Sequence, residues 1–367
     1  MMTLSALLFL LFFIPQANQS GWPEFRGGQH LRGTTSETIP FMVEQHWVFQ
    51  TGDEIKASPV IQGNSIVIGS TDQHVYCLDM EGKLIWKFKA GNAIEASALI
   101  RNGIVYIGDL HGNLFALELA SGKQIWKYET QNQIMAAPNW WSDGERTYIL
   151  VGAYDYYLHC VDAKTGQPIW KYEAQNYLNA AVAVEGNLAV FGGCDGLLHV
   201  VDIETGNAAS AIEIATYVAG STALDNGKAF VGDYDGIFSC IDYRSGQIQW
   251  QFESRDRQLP FIGSPAITDK HVFIGSRDRF VYGLDISTGS VIWQKNTGSR
   301  VDASPLADRR NLLVANMRGD LLLFNQETGQ TVWTYELGSP LIGHPAVSQG
   351  KIIAGAQDGN IYCLGAP

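Results

Sequence analysis

Short hydrophobic runs alternate with turn residues along almost the whole chain. A typical run is β-branched and ends on a small residue, as in Ser65-Ile66-Val67-Ile68-Gly69, and Gly, Asp and Asn separate one run from the next. Runs of about four to six residues with such boundaries predict β-strands joined by tight turns. The pattern therefore favours an all-β protein over a helical one.

Tryptophan marks a repeat in this pattern. Seven members of one series lie 39, 40, 44, 80, 43 and 40 residues apart: Trp47, Trp86, Trp126, Trp170, Trp250, Trp293 and Trp333. The gap of 80 spans two repeats, and Ser210 stands where the missing tryptophan would be. A phrase of small residues, Ala57-Ser58-Pro59 in its first copy, recurs eight times. One four-stranded unit per repeat predicts an eight-bladed β-propeller with the tryptophans docked between blades.

The two ends of the pattern predict how the ring closes. The last repeat stops after its third strand at Cys363-Leu364, and a lone fourth strand, His46-Trp47-Val48-Phe49, precedes the first repeat. We expect this N-terminal strand to complete the last blade, because that removes an open sheet edge. The predicted organisation is a signal peptide over 1–20, an extension over 21–45 and the propeller over 46–367.

Charge and the N-terminal segment narrow the function classes. The net charge is −12, from 37 acidic and 25 basic residues, so a phosphate backbone is repelled and nucleic-acid binding is not expected. The apolar run 6–14 suits a secretory signal and is too short to span a bilayer as a helix. We expect a periplasmic or secreted protein, monomeric, without a transmembrane helix in its mature chain.

Side chains that recur at one repeat position are interpreted as structural. Aspartate recurs in one turn, where its carboxylate can bond local backbone N–H groups: Asp72, Asp155, Asp195, Asp235, Asp278 and Asp358. Four of the five cysteines share another position and predict small buried side chains without a structural disulfide: Cys77, Cys160, Cys240 and Cys363. His159 and His199 are expected to pack between blades, and His344, which replaces a serine, to be a satisfied core residue.

The turn before each tryptophan carries a recognisable motif. Ala116-x-Glu118-x-x-Ser121-Gly122 leads to Trp126, and the motif recurs from Cys160 to Trp170, from Cys240 to Trp250 and from Gly283 to Trp293, with a weaker copy from Leu323 to Trp333. It resembles the docking signature of the pyrroloquinoline-quinone (PQQ) repeat family, whereas no Gly-His…Trp-Asp pair of WD40 propellers recurs. The opening Trp22-Pro23-Glu24-Phe25-Arg26-Gly27 is similar to the start of secreted PQQ-like repeat proteins.

This resemblance implies two functional groups. One is the quinoprotein alcohol dehydrogenases, which hold PQQ and calcium in the central funnel beside a Cys-Cys pair. The other is the non-catalytic propellers similar to the B component of the outer-membrane β-barrel assembly machinery. The chain contains no Cys-Cys dipeptide. We therefore expect neither cofactor nor metal nor catalytic residues, with PQQ and calcium as the alternative.

The residue before each small phrase approximates the mouth of the funnel. These residues are Lys56, Glu95, Met135, Asn179, Ala219, Ile262, Asp302 and Ile342. The candidate ligand-binding residues among and beside them are Lys56, Glu95, Asn179, Arg300 and Asp302. Oxygen ligands from three of them could hold calcium, but the predicted blades 2, 4 and 7 place them far apart.

Two insertions are candidate contacts with a protein partner, although ordinary hairpin variation is the favoured explanation. Repeat 3 gains residues around Trp140-Trp141, one of which should face outward unless it is covered. Repeat 6 gains a loop with Arg255 and Arg257, predicted on the opposite face. The leading hypothesis is a protein-binding scaffold of the cell envelope, with a PQQ- and calcium-dependent dehydrogenase or a carbohydrate- or peptide-binding propeller as alternatives.

Overall fold

A computed structural model describes residues 21–214, 216–254 and 259–367. Within these ranges the chain forms eight antiparallel sheets that follow one another around an axis as blades. The predicted all-β, eight-bladed propeller is therefore confirmed. The predicted signal segment 1–20 and the candidate residues Arg255 and Arg257 lie outside the described ranges.

Each blade contains four strands, from an inner strand near the axis to an outer strand at the rim. Blade 1 comprises Val60–Gln62, Ser65–Gly69, His74–Asp79 and Leu84–Lys89; blade 2 comprises Leu99–Arg101, Ile104–Gly108, Asn113–Glu118 and Gln124–Glu129. Blade 3 comprises Asn139–Ser142, Thr147–Gly152, Tyr157–Asp162 and Pro168–Glu173; blade 4 comprises Ala183–Glu185, Leu188–Gly192, Leu197–Asp202 and Ala208–Glu213.

The second half of the ring repeats this order. Blade 5 comprises Ala223–Asp225, Lys228–Gly232, Ile237–Asp242 and Gln247–Glu253; blade 6 comprises Ala266–Ile267, His271–Gly275, Phe280–Asp285 and Val291–Asn296. Blade 7 comprises Leu306–Ala307, Asn311–Ala315, Asp320–Asn325 and Thr331–Glu336; blade 8 comprises Ala346–Ser348, Lys351–Gly355, Asn360–Gly365 and Glu44–Gln50. A short strand Gly21–Trp22 adds to blade 1, and a 3₁₀ turn spans Phe25–Gly27.

The ring closes through a strand from the start of the chain. Glu44–Gln50 pairs antiparallel with Asn360–Gly365, with Trp47 opposite Cys363 and Phe49 opposite Ile361. The closure predicted from the incomplete last repeat is therefore correct. Blade 8 is held together by residues from both ends of the propeller.

Tryptophan joins one blade to the next at six of the eight seams, as the repeat predicts. The indole N–H of Trp86 donates to the carbonyl of Leu119 on blade 2 at 2.7 Å, and five more indoles do the same at the blades that follow them: Trp47 to Met80, Trp126 to Ala163, Trp170 to Ile203, Trp250 to Ile286 and Trp293 to Gln326. The last indole, Trp333, donates to Pro40 instead, because blade 8 takes its outer strand from the N-terminal end.

The seam between blades 4 and 5 lacks this indole. Ser210 lies on the outer strand of blade 4, and Tyr243 of blade 5 is almost fully buried at the seam, with its hydroxyl donating to Glu185. In other blades a turn glycine faces a tryptophan ring. At the equivalent Gly246, the atom nearest to a Cβ built on the glycine belongs to the Ile212 side chain, at 3.8 Å. The corresponding distance from Gly206 to the Trp170 ring is 2.7 Å.

The repeated aspartates act as turn acceptors, with one correction. Asp72 accepts from the backbone N–H of His74, and Asp278 from that of Phe280. In blade 5 the acceptor is Asp233, which takes the N–H groups of Asp235 and Ile237, so the prediction for Asp235 is wrong. The shift by two residues also occurs in blade 2, where Asp109 has this role.

The two predicted histidines pack between blades with both ring nitrogens engaged. His159 contacts Asp155 through Nε2 at 3.1 Å and the Tyr128 hydroxyl of blade 2 through Nδ1 at 3.0 Å. His199 repeats the arrangement one blade later, with Asp195 and Tyr172. The histidines therefore link neighbouring blades.

Strand direction gives the ring two different faces. Every inner strand starts at the face where the second strand turns into the third, and ends at the opposite face. We call the first the open face and the second the closed face. Among the residues described, no helix has the length and hydrophobicity needed to cross a membrane.

Candidate functional site

An N-terminal segment, residues 21–43, lies across the closed face, and we call it the strap. Gly21 and Trp22 pair with the inner strand of blade 1. Further along, strap carbonyls accept backbone N–H groups from one inner strand after another: Pro23 from Ile100, Gln29 from Val184, His30 from Leu224, Arg32 from Ile267 and Gly33 from Ala307. These N–H groups face away from their own sheets, so the strap satisfies donors that burial would otherwise leave unpaired.

Arg26 fixes the strap at the axis. Its side chain is completely buried, and its guanidinium donates to the carbonyls of Pro305 at 2.6 Å and Pro265 at 2.7 Å, on the inner strands of blades 7 and 6. Burial lowers the pKa of Arg26 to about 9. Gly33 leaves the space for this side chain, since a Cβ at Gly33 would overlap the guanidinium.

His344 lies against the same part of the strap. Its ring is 5.0 Å from that of Phe25 and 6.1 Å from that of Trp22, measured between centroids. Burial, reinforced by the charge of Arg26, lowers the pKa of His344 to about 3, so the ring is neutral at physiological pH. Its Nδ1 then donates to the Pro345 carbonyl, and Nε2 has no partner among the described residues. The expectation of a fully satisfied core histidine is therefore wrong.

An axial channel of about 190 Å³ opens on the face opposite the strap. All eight residues that the sequence predicts at the funnel mouth line it, and Phe25 and His344 line it on the strap side. Deeper in the channel, serine hydroxyls accept backbone N–H groups from the neighbouring inner strand, as Ser97 does from Ser58 and Ser264 from Ser221. The channel is therefore a narrow funnel that the strap closes at its far end.

The charged residues of the mouth are paired with one another. Lys56 Nζ lies 2.7 Å from Glu95 Oε1, and this hydrogen bond raises the pKa of Lys56. Asp302 accepts two bonds of 3.0 Å from Arg277, and Arg300 lies 3.7 Å from it. The Oδ1 atom of Asn179 is buried without a partner in the described chain.

The polar side chains at the funnel mouth do not form a site that matches the calcium and quinone of a dehydrogenase. A calcium ion needs six to eight oxygen ligands, but here each carboxylate already faces a cation. Within the described ranges no three His, Cys, Asp or Glu side chains are placed to hold a metal ion. All five cysteines are free, and four of them are buried.

The Trp140-Trp141 pair is covered, which corrects the expectation of an exposed indole. Trp141 is buried and donates to the Gly186 carbonyl. Trp140 donates to the carboxylate of Glu24 in the strap, and the Arg101 guanidinium lies 3.4 Å from its ring centre. Burial raises the pKa of Glu24. The insertion thus anchors the strap on the closed face.

Five tyrosines in two groups of touching rings lie on the open face of blades 3 to 5, and we call them the tyrosine crescent: Tyr154, Tyr156 and Tyr177 in one group, Tyr217 and Tyr234 in the other. The ring centres of Tyr154 and Tyr177 are 4.8 Å apart, those of Tyr156 and Tyr177 5.1 Å, and those of Tyr217 and Tyr234 6.2 Å. Four of the five side chains are exposed, Tyr217 most of all at 54%. Tyrosine at such exposure is frequent in the energetic centres of protein interfaces.

Tyr156 occupies a backbone conformation that usually belongs to glycine. In the turn between the second and third strands, one residue has a left-handed φ, and five of the eight blades place glycine there: Gly112, Gly196, Gly236, Gly319 and Gly359. The other three blades have Gln73 at 75°, Tyr156 at 75° and Arg279 at 79°. A side chain here costs about 1–2 kcal/mol, and such local strain is concentrated at functional sites.

Sequence reasoning missed the crescent, although its signal is readable. The left-handed residue directly follows the repeated aspartate, and Tyr156 and Arg279 stand where other repeats have glycine. An exposed tyrosine or arginine that replaces a turn glycine is an unusual choice, and it is visible in an alignment of the repeats alone.

Comparison with known proteins gives the family and the fold. A family model described as outer membrane protein assembly factor BamB matches residues 42–152, 154–304 and 281–366. No curated protein sequence matches the chain significantly.

Solved propellers of several kinds are similar in structure. BamB from Moraxella catarrhalis is 18% identical, with a TM-score of 0.75 over 89% of this chain and 100% of that one. A europium-containing methanol dehydrogenase is 13% identical, with a TM-score of 0.76 over 95% and 98%. The computationally designed Ika8 protein is 19% identical, with a TM-score of 0.77 over 86% and 98%. At these identities the likeness shows the fold and not the activity.

Proposed function

Because the chain belongs to the PQQ-like repeat family described as outer membrane protein assembly factor BamB, we propose that it is a non-catalytic protein-binding propeller of the cell envelope. In this proposal it is exported to the periplasm or secreted, and it binds a protein partner through the tyrosine crescent. Assembly of outer-membrane proteins is the process that the family description suggests.

One observation carries the proposal. Tyr156 occupies a strained turn position and packs on Tyr177 at the open face, where both side chains are about 40% exposed. The strain lowers stability without a compensating burial of the ring. A contact with a partner that buries this aromatic surface accounts for both features.

The alternative class, a PQQ- and calcium-dependent dehydrogenase, has weaker support. The carboxylates of the funnel mouth are ion-paired, and the strap closes the narrow channel behind them. Addition of PQQ and calcium to the purified protein should therefore give neither quinone absorbance in a stoichiometric complex nor dye-linked alcohol oxidation. An active complex would overturn the scaffold proposal.

Site-specific photo-crosslinking tests the partner surface directly. A benzophenone amino acid is placed at Tyr217 on the open face or, as a control, at Ile125 on the exposed outer strand of blade 2, and whole cells that express the protein are irradiated. We expect a discrete adduct at Tyr217 and none at Ile125. The adduct should disappear when Tyr177→Ala is added, while the melting temperature stays unchanged. Adducts of equal yield at both positions, or insensitivity to Tyr177→Ala, would contradict the proposal.

A further inference from the structure

A groove with three arginines continues the open face beyond the crescent. It has a volume of about 610 Å³, and its charged walls are Arg277 and Arg279 of blade 6 and Arg300 at the start of blade 7. Met317, Pro340 and Gln357 complete it on blades 7 and 8. We call it the arginine groove.

The groove is locally positive in a chain whose net charge is −12. The carboxylate of Asp302 lies beneath two of these arginines, Arg277 and Arg300, and its side chain is only 8% exposed. It holds Arg277 through two parallel bonds and lies 3.7 Å from Arg300, and among the described residues the remaining N–H groups of these two guanidinium groups have no acidic partner. In the described part of the chain Arg279 forms no ion pair, and it occupies the third of the three strained turn positions, after Gln73 and Tyr156.

The groove lies near the tyrosine crescent on the same open face. The pKa of Arg277 is raised, first by its bonds to Asp302, and Tyr234 of the crescent is close enough to contribute to the shift. Backbone bonds connect successive turns on this face: the Tyr234 N–H donates to the Tyr217 carbonyl in the crescent, and the Met317 N–H donates to the Arg300 carbonyl in the groove. A partner that covers the crescent can therefore extend a segment into the groove.

We propose that the arginine groove binds the side-chain carboxylates of an acidic, extended segment of the protein partner. This inference rests on the proposed function, because the segment belongs to the same partner. The planar guanidinium group pairs with a carboxylate through two parallel bonds, as Arg277 already does with Asp302. A long polyphosphate is disfavoured because it would extend past the arginines over a chain whose net charge is −12, whereas a short segment keeps its carboxylates beside the arginines.

Binding of a defined acidic peptide tests the groove without knowledge of the partner. The probe is a fluorescein-labelled octapeptide that alternates Glu and Ala, titrated with the full chain at low salt and followed by fluorescence anisotropy. We expect the dissociation constant to rise about tenfold in Arg279→Gly and again in Arg300→Gln, since a charge-assisted bond is lost in each. Glycine suits the φ of 79° at position 279, so Arg279→Gly should leave the melting temperature unchanged or higher.

Controls separate a specific groove from general attraction. Arg309→Gln and Arg310→Gln remove exposed charges on the closed face and should not change the dissociation constant. Equal effects of all four substitutions, or no effect of Arg279→Gly with Arg300→Gln, would overturn the inference. Displacement of the peptide by polyphosphate at a lower concentration than by unlabelled peptide would identify the ligand as phosphate and also overturn it.

The proposed function and the groove inference can fail independently of each other. If Tyr217 crosslinks a partner in a manner that needs Tyr177 but not Arg279 and Arg300, the crescent binds and the groove inference is wrong. If the acidic peptide binds through the arginines while no crosslink depends on Tyr177, the groove exists and the partner surface has been misplaced.

Discussion

On the closed face, one segment, the strap, accepts N–H groups from the inner strands of several blades through its main-chain carbonyls, whereas on the open face neighbouring turns bond to one another directly, as the Met317 N–H does to the Arg300 carbonyl. The closed face buries Trp22, Arg26, Leu31 and Ile39 of the strap. The open face leaves four tyrosines exposed and accepts strained turn residues. The same eight repeats therefore carry a buried, stabilising segment on one side and an exposed polar and aromatic surface on the other.

Of all the changes that test this contrast, removal of the strap should cause the largest loss of stability. Deletion of residues 21–43, with Glu44–Gln50 retained, removes three buried apolar side chains that contribute about 1.5–3 kcal/mol each and five main-chain hydrogen bonds of about 1 kcal/mol each. This sum is comparable with the whole stability of a typical domain, about 5–15 kcal/mol. We expect the shortened chain to lack a cooperative unfolding transition by circular dichroism.

The matched change on the open face is the triple variant Tyr156→Gly, Tyr177→Ala and Tyr217→Ala. It should keep a cooperative transition within a few degrees of the unmodified protein, because these side chains are largely in solvent. A strap deletion that melts at the same temperature as this triple variant would contradict the assignment of stability to the closed face.

One arginine substitution on each face compares how much the two faces contribute to the free energy of unfolding. Arg26→Ala leaves two buried carbonyls without donors and a cavity at the axis, and should cost about 3–5 kcal/mol of unfolding free energy. Arg300→Ala removes an exposed side chain 3.7 Å from Asp302 and should cost less than about 0.5 kcal/mol. Urea unfolding measures both, and similar losses for the two variants would refute the comparison.

The free energy of unfolding should depend on pH through His344, which lies against the strap on the closed face. Its pKa is about 3 in the folded protein, against 6.5 for an ordinary histidine side chain, so the unfolded chain takes up a proton first as the pH falls. The contribution of neutral His344 is thus complete above pH 6.5 and is lost as the pH falls toward 3, by about 1.4 kcal/mol per pH unit. Between pH 6.5 and about pH 4.5 we expect a loss of about 2–3 kcal/mol.

His344→Ser, which restores the serine of other repeats, should flatten the stability profile over that window. The open-face carboxylates Asp155 and Asp195 do not contribute there, because their pKa values are lowered and their stabilisation is lost only below about pH 3.8. Chemical unfolding at several pH values measures the slope. An identical slope in His344→Ser would show that another group is responsible.

Replacement of either of two neighbouring tyrosines by glycine should have the smallest effect on stability. The two substitutions together distinguish backbone strain from side-chain exposure. Tyr156→Gly relieves a left-handed conformation and should leave stability unchanged or raise it by up to about 1 kcal/mol. Tyr177→Gly has no such strain to relieve and should lower stability by about 0.5–1 kcal/mol. Thermal unfolding gives the sign, and a destabilising Tyr156→Gly would remove the argument from strain.

The blades can be predicted from the sequence because their determinants are local and repeated. Each tryptophan, its preceding glycine turn and the small residues of the inner strand lie within one 40-residue unit, and eight copies reinforce one register. Even the exception at Ser210 is visible as a gap in the series. What fills that gap, Tyr243, is not visible, because its partner Glu185 lies 58 residues away.

The strap cannot be predicted, since it has no periodicity of its own. Its contacts join residues far apart in the chain, such as Arg26 with Pro305, a separation of 279 residues. The burial of Trp140 depends on the same segment, and so the sequence alone indicates a candidate contact there.

The eight predicted mouth residues line the channel, whereas the candidate Arg300 lines the arginine groove instead. How these side chains pair depends on the three-dimensional order of the blades. Lys56 meets Glu95 because blades 1 and 2 are adjacent, while Asp302 meets the arginines of blades 6 and 7. A repeat alignment gives the position of each residue in its blade and not the side chain that faces it.

The composite blade 8 has a consequence for how fast the protein reaches its folded state. Glu44–Gln50 can pair only after Asn360–Gly365 has been synthesised and the seven intervening blades have brought it near. Closure of a loop of roughly 300 residues costs about 5 kcal/mol of chain entropy, whereas each hairpin within a blade closes over a few residues. Such a high contact order slows folding, and ring closure is therefore expected to be the late, rate-limiting step, with the apolar residues of the strap exposed to solvent until it occurs.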